Sequence, residues 1–438
     1  MSISGPKAPD QSVPTWRSRA HAVRDRLACG VAELGPGLIT GAADDDPSGI
    51  STYSTAGAQF GYSMLWTTLF SFPLMASVQT MCARIGLVSG QGLASVLRRH
   101  YPRWVVWSAC LLLLVANTVN IAADLGGMAD ALTLLTGVRS IWFHCFFAVA
   151  IVALLVFSSY HAMARVFKWL TLVLLVYVGA AILAQPRWDD VVRATVVPSF
   201  SLDRAHRMAI VAILGTTISP YLFFWQAAQE VEDRKTGATR APSRPAALAS
   251  ALAAARRDTI LGMFFSNAIA FFIMLTTGAT LFAAGGRDIL SAQDAAAALR
   301  PLAGDGAALL FTLGLVGTGM LGIPVLAGST AYAIAEAGGW GGGMDDRPRQ
   351  ATKFYGVIAV GMLLAMALQH MGVGGFRLLF WAAIVNGLLA PPLIALILLV
   401  CNNRNVMGDH VNGRWLNGLG LVTALVMTAA AVAVIVAW

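Results

Sequence analysis

Residues Gly35 to Ser51 read GPGLITGAADDDPSGIS. The segment lies in an apolar run of membrane-spanning length, yet three consecutive carboxylates, Asp44, Asp45 and Asp46, interrupt it, and Pro47 and Gly49 follow at once. An Asp at the bilayer centre costs roughly 2.5–3.5 kcal/mol on insertion scales, so ionisable residues at that depth mark pathways and binding sites. Pro47 lacks an amide proton and disfavours helical geometry in the residue before it, which predicts a helix break at Asp46. A broken membrane helix frees carbonyls and half-helix ends, and secondary transporters build cation sites from such groups. We therefore expect the chain to be arranged around Asp46.

The surrounding composition is that of a membrane protein. Of 438 residues, 57% are hydrophobic and 12% charged, with mean hydropathy +0.69; a soluble domain carries about 25% charged residues. The net charge of +8 is distributed as a topology signal and does not call for a nucleic-acid partner. Five cysteines, Cys29, Cys82, Cys110, Cys145 and Cys401, are scattered without a CxxC pair, which supplies neither a disulfide framework nor a soft-metal cluster. Residues 1–32 are polar and basic and precede no short cleavable apolar core, so we read a cytoplasmic tail and no signal peptide.

Apolar runs near 20 residues recur, each able to span about 30 Å of hydrocarbon. We place eleven, at roughly 33–57, 63–83, 104–136, 141–158, 166–185, 207–231, 259–283, 306–336, 352–370, 376–401 and 417–437. With the N-terminus inside, 22 of the 30 Lys and Arg fall on inside segments and eight on outside ones. That asymmetry follows the positive-inside rule and puts the C-terminus outside.

The sixth run echoes the first. Gly215 to Glu232 reads GTTISPYLFFWQAAQEVE, with Pro220 interrupting it and Gln226, Gln229, Glu230 and Glu232 after the interruption. If runs 1–5 and 6–10 are two repeats, the breaks occupy matching positions, the best sequence pointer to a transporter site. Asn117, Asn120 and Asp124 in the third run share one helical face. Interhelical hydrogen bonding accounts for the asparagines, whereas Asp124 is a candidate for the ion or gating pathway. The eighth run is rich in glycine, which favours close helix packing. Asn386 is open between the central cavity and a packing hydrogen bond. His144, His161, His206 and His370 fall near span ends and read as interfacial.

At GPG…DP and at the G…P break, the chain resembles the Nramp family of divalent metal transporters, over nearly all of residues 33–437, including Asn402 to Gly408 (NNRNVMG) before the last run. The resemblance implies an all-α integral membrane protein of LeuT-like fold, with two inverted five-helix repeats (about 33–185 and 207–401), broken helices 1 and 6, and an extra helix at about 417–437. Gly35-Pro36-Gly37, eight residues and then Asp46-Pro47-Ser48-Gly49 match the family's GPG and DPGN. Asp46 thus falls on the metal-binding aspartate and Gly49 on its asparagine ligand. Against GAxxMPH, Thr216 falls on the alanine that offers a carbonyl and Ser219 on the metal-binding methionine. Tyr221 and Gln226 fall on histidines, Asp124 on a family aspartate and Gly127 on a glutamate linked to proton movement.

These departures change the chemistry expected. A thioether favours transition metals, while a small neutral hydroxyl does not. Mg²⁺ keeps several waters and is held by one or two carboxylates, so the altered site resembles the Nramp-related magnesium transporter branch. We expect a secondary transporter of Mg²⁺ and/or Mn²⁺, working by alternating access in a bacterial inner membrane, with the metal as substrate and no cofactor. The expected ligands are Asp46, Gly49, Thr216 and Ser219, with Asp45, Asp124, Gln226 and Asn386 behind them or along the path. The alternatives are a proton-coupled Mn/Fe importer of conventional type, or a cation-coupled symporter of a small organic substrate. A metal-ion sensor fits the same residues. A membrane enzyme does not, since neither HExxH nor GxSxG occurs.

Overall fold

The computed structural model describes residues 35–157, 172–201, 203–235, 245–285, 289, 291–371 and 375–436. The N-terminal tail, the start of the fifth expected span and His161 lie outside them. Among the described residues the secondary structure is helical throughout. Its principal helices are α1 (Pro36–Asp44), α2 (Pro47–Phe60), α3 (Trp66–Ser89), α4 (Leu93–His100), α5 (Arg103–Thr136), α6 (Ser140–Phe157), α7 (Val176–Leu183), α8 (Trp188–Val196), α9 (Arg204–Thr217), α10 (Pro220–Lys235), α11 (Pro245–Thr277), α12 (Ala307–Gly338), α13 (Thr352–Gln369), α14 (Gly375–Asn402) and α15 (Arg414–Ile435).

Eight stretches among the described residues are long and apolar enough to cross a membrane. They coincide with the third, fourth and sixth to eleventh expected runs. The first run is not among them: three carboxylates, Asp44, Asp45 and Asp46, lie at or beside its break and lower its apolar character. Large apolar side chains such as Trp104, Phe146, Leu363 and Leu425 stay exposed on the outer helix faces, where lipid contact suits them. The polar side chains Asp46, Asn117, Asp124 and Thr216 are buried. This inverts the pattern of a soluble domain.

Two features depart from the sequence reading. Helix α11 begins at Pro245, fourteen residues before the expected span, because the alanine-rich stretch AALASALAAA has high helix propensity and Pro is tolerated in a first helical turn. Arg256 and Arg257, which precede the expected span, are therefore helical. The amphipathic α4 was also not anticipated; it buries Leu93, Ala94, Val96 and Leu97 and leaves Arg98 and Arg99 exposed.

Glycines set how closely the central helices approach. A Cβ on Gly41 of α1 would lie 2.3 Å from the Gly262 carbonyl oxygen of α11, and one on Gly37 would lie 2.5 Å from the Thr259 nitrogen. Gly37 and Gly41 form a GxxxG pair, the small-residue spacing that lets membrane helices meet backbone to backbone. Gly215 of α9 likewise sits where a Cβ would be 2.1 Å from the Ala383 carbonyl oxygen of α14. Asp258 of α11 fastens the start of α1, its Oδ2 accepting from the Gly37 amide at 2.7 Å and the Leu38 amide at 3.3 Å. These contacts anchor both broken helices on continuous ones.

Candidate metal-binding site

The first break falls where Pro47 requires it. α1 ends at Asp44 and α2 starts at Pro47, leaving Asp45 and Asp46 between them. Asp46 is extended (φ −73°, ψ 170°) and is the N-cap of α2. Its Oδ1 accepts from the Gly49 amide at 2.8 Å and the Ser48 hydroxyl at 2.7 Å. An N-cap carboxylate satisfies amides that have no helical partner and lies at the positive end of the helix dipole.

The second break mirrors it. α9 ends at Thr217, and α10 restarts at Pro220. The Ser219 hydroxyl turns back on α9, 2.7 Å from the Thr216 carbonyl oxygen and 3.0 Å from that of Gly215. Its proton is spent on terminating the helix, and only its oxygen lone pairs remain for another partner.

Tyr221 ties the two breaks together. Its hydroxyl donates to the Ala43 carbonyl at 3.0 Å and lies 3.4 Å from Asp46 Oδ2. Nearby, Tyr53 and Thr217 hydroxyls meet at 3.2 Å, and Thr217 donates to the Ile213 carbonyl, so Tyr53 is the donor of that pair. The Thr216 hydroxyl is buried with no hydrogen-bond partner, and a Cβ on Gly49 would lie 3.3 Å from it. Gly322 of α12 closes the site from another side; a Cβ there would lie 3.2 Å from Asp46 Cβ.

Asp46 Oδ2, the Ala43 carbonyl, the Thr216 hydroxyl and Gly49 thus meet at the paired breaks. Gly49 contributes its amide to Asp46, not a ligand side chain. Thr216 contributes both a carbonyl, bonded to Ser219, and the unpartnered hydroxyl; the resemblance points only to the carbonyl at this position, because the family's alanine has no hydroxyl.

The other expected residues divide. Asp124 of α5 is fully buried beside the Ser48 amide and the Asp46 charge, and neither of its oxygens has a hydrogen-bond partner of normal geometry. Asp45, expected behind Asp46, is instead turned with Asp44 toward α11: one hydroxyl, Ser266 Oγ, lies 2.6 Å from Asp44 Oδ2 and 3.1 Å from Asp45 Oδ1. Asn386 is paired with Asn120 by two reciprocal amide bonds of 2.8 and 3.1 Å, which is the packing alternative. Gln226 lies further along α10, donating to Glu230 at 3.0 Å. Asn117 joins α5 to Leu326, Ser329 and Thr330 of α12.

Four carboxylates are therefore buried within one region, and among the described residues none of them is hydrogen-bonded to Lys, Arg or His. Uncompensated charge of this kind is strongly unfavourable in a dry interior and is relieved by a cation or a proton. Among the described residues no three His, Cys, Asp or Glu side chains converge as a chelating group. The site offers one carboxylate oxygen with neutral oxygens around it. Asp46 itself is 1% exposed. A cavity of about 240 Å³ is lined on one side by Ser51, Thr55 and Gln59, which recur every four residues on the helix that Asp46 caps, and otherwise mainly by apolar residues such as Met208, Phe376 and Phe380, with Arg377. A second cavity of about 470 Å³ lies beside Asp130 and Arg377.

Comparison with known proteins converges on one family. The model of the family described as natural resistance-associated macrophage protein-like, Nramp, matches residues 37–437. The divalent metal cation transporter MntH of Klebsiella pneumoniae is 26% identical over 405 residues, covering 91% of this chain and 92% of that protein. The fold is that of the Eremococcus coleocola manganese transporter (TM-score 0.72, 20% identity, 92% of this chain and 85% of that one). It extends more loosely to Mhp1, a nucleobase-cation-symport-1 family transporter (TM-score 0.55, 16% identity, 92% of this chain and 93% of that one). With its two broken helices and a family match spanning almost the whole described chain, the protein belongs to the Nramp family.

Proposed function

We propose that this protein carries divalent metal cations across a membrane by alternating access, with Asp46 as the ligand and Mg²⁺ and Mn²⁺ as the favoured ions. The observation that carries this is the Asp46 carboxylate. Its Oδ1 is saturated by the α2 cap, while Oδ2 has only the shared Tyr221 hydroxyl at 3.4 Å. That oxygen, with the Ala43 carbonyl and the Thr216 and Ser219 hydroxyls, is a hard donor set suited to an ion that keeps part of its water shell. The two repeats, about 33–185 and 207–401, would rock about the paired breaks. In this reading the N-terminus is cytoplasmic and the C-terminus outside, an orientation that the distribution of basic residues supports, and the membrane is a bacterial inner membrane.

A conventional soft-metal preference is the second reading, and one observation favours it. Met128 of α5 is fully buried. A Cβ on Gly319 would meet its sulfur at 2.3 Å and the Pro47 ring at 3.2 Å. A thioether therefore packs beside the residue that follows Asp46, although none stands at position 219. Transport itself is tested by Mn²⁺ entry into proteoliposomes holding a metal-sensitive dye. Entry well above that of protein-free vesicles is expected, and its absence in folded, reconstituted protein refutes the proposal.

A further inference from the structure

The family match leaves unexplained an acidic group at the end of the fold away from the two cavities. Ser219, Gln226, Glu230 and Asp233 are separated by seven, four and three residues, so they share one face of the segment that leads from the break. Glu230 lies ten residues beyond Pro220, about 15 Å along the helix axis. It is 5% exposed. Its side chain sits over Gly86 of α3, where a Cβ would come within 2.9 Å of Glu230 Cβ.

Among the described residues no cation pairs with this carboxylate. Its hydrogen-bond partner is the Gln226 amide, and the charged groups that act on it, Asp233 and Asp258, are both negative. Arg234, the nearest basic residue along α10, is engaged by the Leu87 carbonyl. Asp258 arrives from α11, where it caps α1.

A second observation points to a ligand. Gln226 is fully buried, and its Oε1 has no hydrogen-bond partner. Nε2 of the same amide donates to Glu230, so the orphan oxygen is on the other arm of the group that holds the carboxylate. A buried amide oxygen without a donor has lost its water and gained no partner in return. Rotating the amide by half a turn would present this oxygen and a Glu230 oxygen to one ion together. Two protein oxygens from a carboxylate and an amide, with water filling the remaining positions, is a donor set that Mg²⁺ and Mn²⁺ accept.

We propose that Gln226 and Glu230 form a second divalent-cation station, between Asp46 and the end of the fold opposite the cavities, where an ion pauses with most of its waters retained. Asp258, a further negative group acting on Glu230, raises the local cation concentration without direct coordination. The role of the station in transport rests on the reading of Asp46 given above; its ability to bind does not.

Binding is measured on purified full-length protein by following free Mn²⁺ with electron paramagnetic resonance during titration. Wild type is expected to bind two Mn²⁺. Asp46→Asn should retain one, and Asp46→Asn/Glu230→Gln should weaken that remaining site at least tenfold, while Glu230→Asp keeps it. Gln replaces Glu with the same shape and still accepts from Gln226, so folding should be preserved. If that variant nevertheless aggregates, Gln226→Met takes its place in the same titration. The proposal is overturned if Asp46→Asn abolishes all saturable Mn²⁺ binding, or if the site it retains is indifferent to both Glu230→Gln and Gln226→Met. Should Asp46→Asn keep both sites while Glu230→Gln removes one, the station stands and the assignment of Asp46 falls.

Discussion

Asp46 has two roles, and two substitutions separate them. As a cap, its Oδ1 accepts from Ser48 and Gly49. As a ligand, it supplies negative charge through Oδ2. Asparagine caps helices about as well as aspartate, whereas alanine in place of a capping residue lowers stability by about 0.5–2 kcal/mol. Asp46→Asn keeps an oxygen for Ser48 and Gly49 and places an amide beside Tyr221, so its thermal midpoint should stay near that of wild type; that of Asp46→Ala should fall. The charge loss can be bounded from below. With one water between ion and carboxylate, at about 4.5 Å, a 2+ ion and a 1− group attract by about 2 kcal/mol even with the dielectric constant of bulk water. The site is buried, so the true effect is larger. Both variants should therefore bind Mn²⁺ at least roughly twentyfold more weakly at this site, measured by titration calorimetry, and show no saturable uptake. Asp46→Asn with an affinity within threefold of wild type would refute the ligand role. Equal midpoint losses for the two variants would refute the capping role.

Three further outcomes follow from the same geometry. Gly41→Ala puts a Cβ into the Gly262 carbonyl, a backbone atom that cannot rotate away; overpacking of about 1–3 kcal/mol should appear as a lowered midpoint. Asn120→Leu strands the buried Asn386 amide and should destabilise by about 1–3 kcal/mol, and adding Asn386→Leu should recover part of it. Asp203, at the start of α9, is held below the usual carboxylate range by the Ser201 hydroxyl and the His206 amide. A depressed carboxylate stabilises above its unfolded pKa and loses that effect as pH falls through its folded value. Protection of the His206 amide from hydrogen exchange should thus fall as pH drops below the ordinary carboxylate range, and Asp203→Asn should abolish this dependence.

Local chemistry was legible in the sequence. Pro47 and Pro220 fix where the helices break, because the missing amide acts on immediate neighbours, and the Asp46 cap follows from its position before Pro47. Distant pairings were not legible. Asp258 caps a helix 221 residues away, Ser266 draws Asp44 and Asp45 toward α11, and Asn386 finds Asn120 across 266 residues. Nothing in the sequence around Asp45 distinguishes a carboxylate facing an ion from one facing a serine of another helix. Ser219 shows the same limit: its residue type fits a hard donor, but its proton goes to the end of its own helix.

The central claim is a site of hard oxygens organised by one carboxylate. It is tested most directly by Mn²⁺ uptake into proteoliposomes with and without excess external Mg²⁺, with internal pH recorded in parallel. The account predicts that Mg²⁺ competes with Mn²⁺ and that uptake proceeds without internal acidification. Mn²⁺ uptake that ignores Mg²⁺ and brings protons in with the metal would contradict it.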